Sequence, residues 1–155
     1  MSREYDPNFQ SEKVCAIVGQ KAVVQNDDGE VLVLRRSKKC SRAGGWDFPG
    51  GGVDEHEDPA EGMIREIDEE VGLKIVKMKP VCVVSEKTKN KDYVIMIGYS
   101  AISNAMEVRL SWEHDKFVWL QKSKSLKLKL PKFHKELLEK HFEIGFGMTW
   151  SMPGN

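Results

Sequence analysis

Charge of either sign in excess is missing from this chain: across 155 residues, 24 Lys+Arg stand against 24 Asp+Glu, for a formal net charge of zero. A dedicated nucleic-acid binder would carry a basic surplus, so no nucleic-acid polymer is expected as a partner. Cysteine is scarce as well. Cys15, Cys40 and Cys82 are odd in number, widely spaced and without a CxxC pair. That pattern excludes a disulfide framework or a zinc site and fits a reducing compartment. No apolar run approaches the ~18 residues of a membrane span. The opening MSREYDPNFQSEK is polar and has no signal-peptide core. The expectation is a cytoplasmic protein, away from membranes, of one domain, because domains run to roughly 100–200 residues.

What is present is an ordinary globular mixture, 40% apolar and 31% charged, too apolar for a disordered chain. Residues 1–12 read as a polar leader, 13–142 as the folded domain and 143–155 as a glycine-containing tail with Phe146, Met148, Trp150 and Met152. The β-branched run 14–24 ends at the turn signal Asn26-Asp27-Asp28-Gly29, and 31–36 reads as its hairpin partner. Residues 37–45 read as a loop, and 46–53 (WDFPGGGV) as backbone held in unusual dihedrals. Strands are expected over 75–86, 92–101 and 116–120, and a second helix over 131–142, amphipathic through Phe133, Leu137, Leu138 and His141. Strands interleaved with helices make a mixed α/β domain.

The first helix carries the informative pattern. Asp58 suits its N-cap, Pro59 its first position, Glu61 a capping-box spacing and Gly72 its left-handed end. Ala60, Ile64, Ile67 and Val71 form its expected apolar stripe, with Glu66, Glu69 and Glu70 together on the opposite face. Three like charges at this spacing repel, and a solvated acidic face is their ordinary meaning. The alternative is a hard-cation site, since clustered carboxylate oxygens suit Mg²⁺ or Mn²⁺. Phe48-Pro49-Gly50-Gly51-Gly52 just upstream can bring bare backbone close to an ion or a phosphate.

The spacing then decides between them. Gly51, five residues, Glu57, seven residues and Arg65-Glu66-Ile67-Asp68-Glu69-Glu70-Val71-Gly72-Leu73 resembles the Nudix box, G-x5-E-x7-R-E-U-x-E-E-x-G-U, with every fixed position filled. The resemblance implies a Nudix-type α/β/α sandwich, a mixed β-sheet with helices packed on both faces. It implies hydrolysis of a nucleoside diphosphate linked to another group, with Mg²⁺ (Mn²⁺ as a substitute) as cofactor. By the same resemblance, Glu66, Glu69, Glu70 and the carbonyl of Gly50 are metal ligands. Arg65 orients the glutamates, and Glu57 supports it from behind.

Outside the box, Glu113 sits six residues before Trp119, where many family members carry a glutamate that binds metal or serves as general base. His114 beside it reads as a surface histidine. Arg36 is the preferred substrate-binding member of the Arg35-Arg36 pair, because alternation lets only one face the site. Gly51 belongs to the substrate loop, and Trp46 and Phe48 can stack on a base or pack in the core. Lys122, Lys124, Lys127, Lys129 and Lys132 either steer polyphosphates or form an exposed basic surface. The marks of ADP-ribose and dinucleoside polyphosphate hydrolases are missing at Thr88 and at Lys89-Asn90-Lys91. The Arg35-Arg36 pair and Trp46-Asp47-Phe48-Pro49-Gly50-Gly51 are most similar to MutT-type enzymes. Those release a nucleoside monophosphate and pyrophosphate from a nucleoside triphosphate, damaged dNTPs included. Another substrate such as ADP-ribose or a nucleotide sugar is the alternative, and a non-catalytic nucleotide sensor a third. The expected partner is a small nucleotide, the expected state a monomer or homodimer.

The zero net charge is itself a sum of opposed blocks. Residues 54–70 hold nine acids and Arg65, a net of −8, while 116–140 hold eight lysines and two acids, a net of +6. A block of −8 repels polyphosphate unless divalent cations reverse its sign locally.

Overall fold

The central run of β-branched and small residues forms the first strand, β1 (Ile17–Gln25), and the next run forms β2 (Val31–Arg36). Both are buried on two faces, as continuous apolar runs in a covered sheet should be. Alternation sorts their side chains: Ala22, Val24, Leu32 and Leu34 point into one cluster, Val23, Val31 and Val33 into the other. The remaining elements are β3 (Trp46–Asp47), α1 (Pro59–Val71), β4 (Lys77–Lys87), β5 (Tyr93–Ile102), β6 (His114–Leu120), α2 (Lys122–Ser125) and α3 (Lys132–Ile144). The structure is a computed structural model that describes residues 7–8, 10, 15–87 and 93–146. Most of the polar leader, Val14, the markers at 88–91 and the tail residues Met148, Trp150 and Met152 lie outside the described residues.

The sheet has six strands in the order β3-β2-β1-β5-β4, with β6 on the other side of β2. It is mixed: β1 runs parallel to β5 from Ile17↔Val94 to Gln25↔Ile102, whereas β4 and β6 pair antiparallel to β5 and β2. One face is covered by α1 through Met63, Ile67 and Val71, the other by α3 through Phe133, Leu137 and Leu138. That is the expected α/β/α sandwich. Among the described residues no helix is long and apolar enough to cross a membrane.

The expected β1–β2 hairpin exists only at its turn. Asn26 Oδ1 accepts from the amides of Asp28 (3.0 Å) and Glu30 (2.9 Å), but the two strands pair only at Gln25↔Val31 and then part. The caps of α1 are as expected, with Asp58 Oδ1 accepting from Ala60 N and Glu61 N and Gly72 left-handed at φ 69°. Its apolar stripe is rotated by one position. Ala60 is exposed and Ile64 is 45% exposed, and the buried line is Met63, Ile67, Glu70 and Val71. Glu70 therefore lies on the buried side rather than opposite it, because the sheet offers it a backbone N–H and a nearby ammonium. The short α2 falls within the lysine-rich stretch that carried no helical reading. Part of the tail packs on its own domain: Lys79 Nζ donates to Gly145 O and lies over the Phe146 ring.

His141 on α3 ties the helix to the sheet, its Nδ1 2.9 Å from Ser100 Oγ on β5. Burial, helped by the charge of Lys79, lowers its pKa from 6.5 to about 4. Because the unfolded chain takes up this proton first, the contribution is complete above pH 6.5 and disappears as pH falls to 4, by up to about 3 kcal/mol. Buried His114 acts in the same direction and Glu70 in the opposite one, so a single variant must isolate the effect. His141→Gln should flatten the fall in urea-unfolding free energy between pH 7 and pH 4.5. An equal slope in the variant and the wild type contradicts the assignment.

Candidate active site

Where β2 leaves β1, the glycine-rich segment takes over the vacated edge. Ala22 N donates to Pro49 O and Gln20 N to Gly51 O, both at 2.9 Å, and Val53 N donates to Val18 O at 3.0 Å. Gly50 lies in the middle of this seam at φ 139°, and a Cβ there would stand 2.1 Å from the Gln20 carbonyl oxygen. Both the dihedral and the contact demand glycine. The seam turns the Gly50 N–H toward α1, where it donates to Glu70 Oε2 at 3.0 Å.

Arg65 organises the other box carboxylates. Its Nε and Nη2 grip Glu57 Oε1 and Oε2 at 2.7 and 3.1 Å, and its Nη1 donates to Glu66 Oε1 and Glu69 Oε2, both at 3.1 Å. The Arg65 hydrogen bonds, reinforced by the Asp54 amide, lower the Glu57 pKa to about 2. A planar guanidinium held from behind by one bidentate carboxylate can present a fixed fork to others. Gly51 leaves room for this: a Cβ on it would come within 2.7 Å of Glu66 Oε1.

The remaining carboxylates carry unbalanced charge. Glu70 is 3% exposed. Its burial pushes its pKa up to about 7, against the lowering influence of Lys21 and the Gly50 amide and with the help of Glu113 and Glu66. Glu66 is also raised, first by burial, with Glu69 and Glu113 adding to it and Arg65 opposing. The charge of Glu113 is thus felt at both glutamates, across the gap between α1 and the loop before β6. The oxygens available to a hard cation are those of Glu66, Glu69, Glu70 and Glu113, whereas the Gly50 carbonyl, expected as a further ligand, accepts from Lys21 Nζ at 2.8 Å instead. All are hard donors of the kind Mg²⁺ and Mn²⁺ prefer, and the negative charge around Glu70 lacks a full counter-charge. Among the described residues no three His, Cys, Asp or Glu side chains are grouped so as to hold a metal ion as they stand. Of Glu66, Glu69 and Glu70, Glu69 is the most open, its side chain 59% exposed.

A buried hub beneath the seam went unread in the sequence. Lys21 Nζ donates to Gly50 O (2.8 Å) and Phe48 O (2.9 Å) and lies 3.2 Å from Asp47 Oδ1. Asp47 is fully buried and also meets Arg36 Nη1 at 2.8 Å and His134 Nε2 at 2.6 Å. Burial alone would raise its pKa, but His134, Lys21 and Arg36 together hold the carboxyl well below the usual range. The available signal was a single lysine interrupting the β-branched run of β1.

Several expected roles change with this hub. Phe48 is fully buried and stacked on His134 at 5.7 Å, so it packs in the core and offers no face to a base. Arg36 uses Nε on Ser41 O (2.6 Å) and Nη1 on Asp47, which makes it a brace between β2, β3 and the following loop. Arg35 pairs with Asp115 at 2.6 Å. Trp46 packs partly against the α3-side cluster and lines an open cavity of about 400 Å³ with Arg42, Gly45, Lys129, Leu130 and Pro131. His114 is no surface residue: it is 4% exposed, and neither ring nitrogen has a hydrogen-bond partner. The lysines at 122, 124, 127, 129 and 132 are all exposed.

With that geometry in view, comparison with known proteins gives a consistent answer. The family model described as NUDIX domain matches residues 17–141. A crystal structure of a MutT protein from Methanosarcina mazei superposes with a TM-score of 0.72 and 32% identity, covering 86% of this chain and 97% of that one. The RNA pyrophosphohydrolase of Halorhodospira halophila is 49% identical over 51 residues, 33% of this chain and 26% of that protein. The 8-oxo-dGTP diphosphatase of Escherichia coli is 33% identical over 51 residues, 33% of this chain and 40% of that protein. The chain thus spans well under half the length of these curated relatives.

Lys21→Met tests the hub. Removing one member of a buried ion pair leaves its partner undercompensated and costs about 3–5 kcal/mol. The unfolding free energy in urea should fall by that order, with the native circular dichroism retained. A loss below about 0.5 kcal/mol, the range of an ordinary surface substitution, would show that the hub braces nothing.

Proposed function

The chain belongs to the NUDIX domain family, and from that membership we propose that it is a Mg²⁺-dependent pyrophosphohydrolase of nucleoside triphosphates. Its products would be a nucleoside monophosphate and pyrophosphate. The observation that carries the reading is the gathering of Glu66 and Glu69 on the Arg65 fork with Glu70 on the Gly50 amide, where burial and the charge of Glu113 raise Glu66 and Glu70. Burying carboxylates against one another raises the free energy of the empty site. A divalent cation relieves this and reverses the sign of the surface that a polyphosphate meets.

When bound, Mg²⁺ or Mn²⁺ supplies charge neutralisation for the pyrophosphate and a more acidic water. Glu66, Glu69, Glu70 and Glu113 are the residues that would hold it, with the Gly50 amide steadying Glu70. Arg65 fixes the rotamers of Glu66 and Glu69, and Glu57 keeps Arg65 in place. A carboxylate of this group accepts the proton lost by the attacking water. Glu113, on the loop before β6, lies outside the Arg65 fork and is free to serve. Gly51 keeps the loop slim enough for phosphate oxygens to approach. The seam sequence and the 8-oxo-dGTP diphosphatase among the relatives support a nucleoside triphosphate over other nucleotide substrates, oxidised dNTPs among them. The structural superposition on a MutT protein supports the same choice.

The test is a product assay with Mg²⁺ over dNTPs, oxidised dNTPs, ADP-ribose, nucleotide sugars and an RNA ending in a 5′-triphosphate. Monophosphate and pyrophosphate from a nucleoside triphosphate are expected, abolished by EDTA and restored by Mg²⁺ or Mn²⁺. Faster cleavage of ADP-ribose or a nucleotide sugar would move the assignment to that substrate, and no cleavage at all would leave a nucleotide sensor. Glu70→Gln should lower kcat by about 10²–10⁴-fold without loss of the fold, and wild-type turnover in it would refute the metal site. Glu113→Gln separates the loop residue: an unchanged rate makes it a solvated side chain.

A further inference from the structure

With Phe48 sealed in the core and Trp46 lining the open cavity with Lys129 and Pro131 on the α3 side of the sheet, neither offers an aromatic surface beside the helix glutamates. The loop that carries Glu113 provides one. Ser111 N donates to the backbone carbonyl of Glu70 itself at 2.9 Å, and Arg109 N to Val71 O at 3.0 Å, so this loop is stitched to the end of α1. The next residues make a tight turn in which His114 N donates to Ser111 O at 3.3 Å, with Trp112 and Glu113 at its two corners. The far side is held as well: Ser37 N donates to Glu113 O at 2.8 Å and Cys40 Sγ lies 3.5 Å from the same oxygen. Corner positions of a turn project outward. Trp112 is therefore the immediate neighbour of Glu113 on a loop anchored at both ends, one anchor being the backbone of Glu70.

Its environment is the unusual part. Trp112 is 64% exposed. The other described tryptophans are used by the fold: Trp46 packs against the α3-side cluster, and Trp119 packs on the α1-side cluster with Nε1 donating to Met106 O. Indoles are among the most costly side chains to leave in water, and a turn corner needs none. An anchored, solvent-facing indole next to phosphate-binding chemistry is the arrangement that stacks on a flat π-face.

We propose that Trp112 is the nucleobase-stacking residue of the substrate site, with Glu113 at the neighbouring corner directed to the polyphosphate end. The proposal rests on the nucleotide reading of the preceding subsection. It places base recognition in the β5–β6 loop rather than in the Trp46–Phe48 segment. Stacking on a single indole tolerates any base, so selectivity between bases would come from other groups.

Two measurements test it with Trp112→Ala and Trp112→Phe. In the product assay, Trp112→Ala should raise KM for the preferred nucleotide by about five-fold or more while kcat stays within about two-fold, and Trp112→Phe should restore most of the loss. Independently, titration with a non-hydrolysable analogue of the same nucleotide in the presence of Mg²⁺ should quench tryptophan fluorescence in the wild type, and Trp112→Ala should abolish that quenching. Unchanged KM and unchanged quenching in folded Trp112→Ala overturn the proposal. If the wild type cleaves no nucleotide, the functional reading fails on its own, and quenching that persists in Trp112→Ala, or is absent from the wild type, then overturns the stacking role too.

Discussion

The seam between β1 and the segment 49–53 is the constraint from which the rest of the site follows. A strand whose neighbour has peeled away presents unpaired N–H and C=O groups, and burial makes those groups costly to leave unmatched. The glycine-rich segment matches them on Gln20, Ala22 and Val18. Only a residue without Cβ can sit at position 50, because a Cβ there would stand 2.1 Å from the Gln20 carbonyl oxygen. Once Gly50 is fixed there, its N–H meets Glu70 and its carbonyl meets Lys21. The seam is thus both the edge of the sheet and the support of the Glu70 carboxylate.

Around it, charge is divided between groups that are balanced and groups that are not. Asp47 is closed off by Lys21, Arg36 and His134, and Glu57 by Arg65. These pairs are scaffolding, since each carboxyl is held well toward its ionised form. Glu66, Glu70 and Glu113 are treated differently. Burial and mutual repulsion raise the first two, and the Arg65 fork is shared with Glu57 and Glu69, so it compensates only part of the charge. The local excess is what the zero net charge of the whole chain conceals. A fold that stabilises its structural carboxylates and leaves its helix carboxylates in deficit is poised for an added cation.

The parts of this arrangement legible in the sequence were those set by local rules. Asp58, Pro59 and Gly72 mark the ends of α1 because caps depend on neighbouring backbone, and the box spacing places Glu57, Arg65 and the glutamates within reach of one another. Long-range packing was not legible. Ile64 and Glu70 compete for the same helical stripe, and only the sheet opposite, with its free amide at Gly50, makes the glutamate the buried one. Lys21 looks like an ordinary polar break in β1 until Asp47 and two carbonyls surround it. Phe48 reads from sequence as either a stacking or a core ring, and His114 as a surface histidine, for the same reason: exposure is decided by α3 and by β2, both distant in sequence.

The direct test of the central claim is paramagnetic broadening by Mn²⁺ in a ¹⁵N-labelled sample of the full chain. Broadening from a bound paramagnetic ion falls steeply with distance, so it maps the ion without depending on turnover. The expected result is early loss of the amide signals of Gly50, Gly51, Glu66, Glu69, Glu70 and Glu113, while those of α3 around Leu137 and Leu138 stay sharp. Early broadening elsewhere, with the Gly50 and Glu70 amides unaffected, would contradict a cation site built on the seam and the helix glutamates.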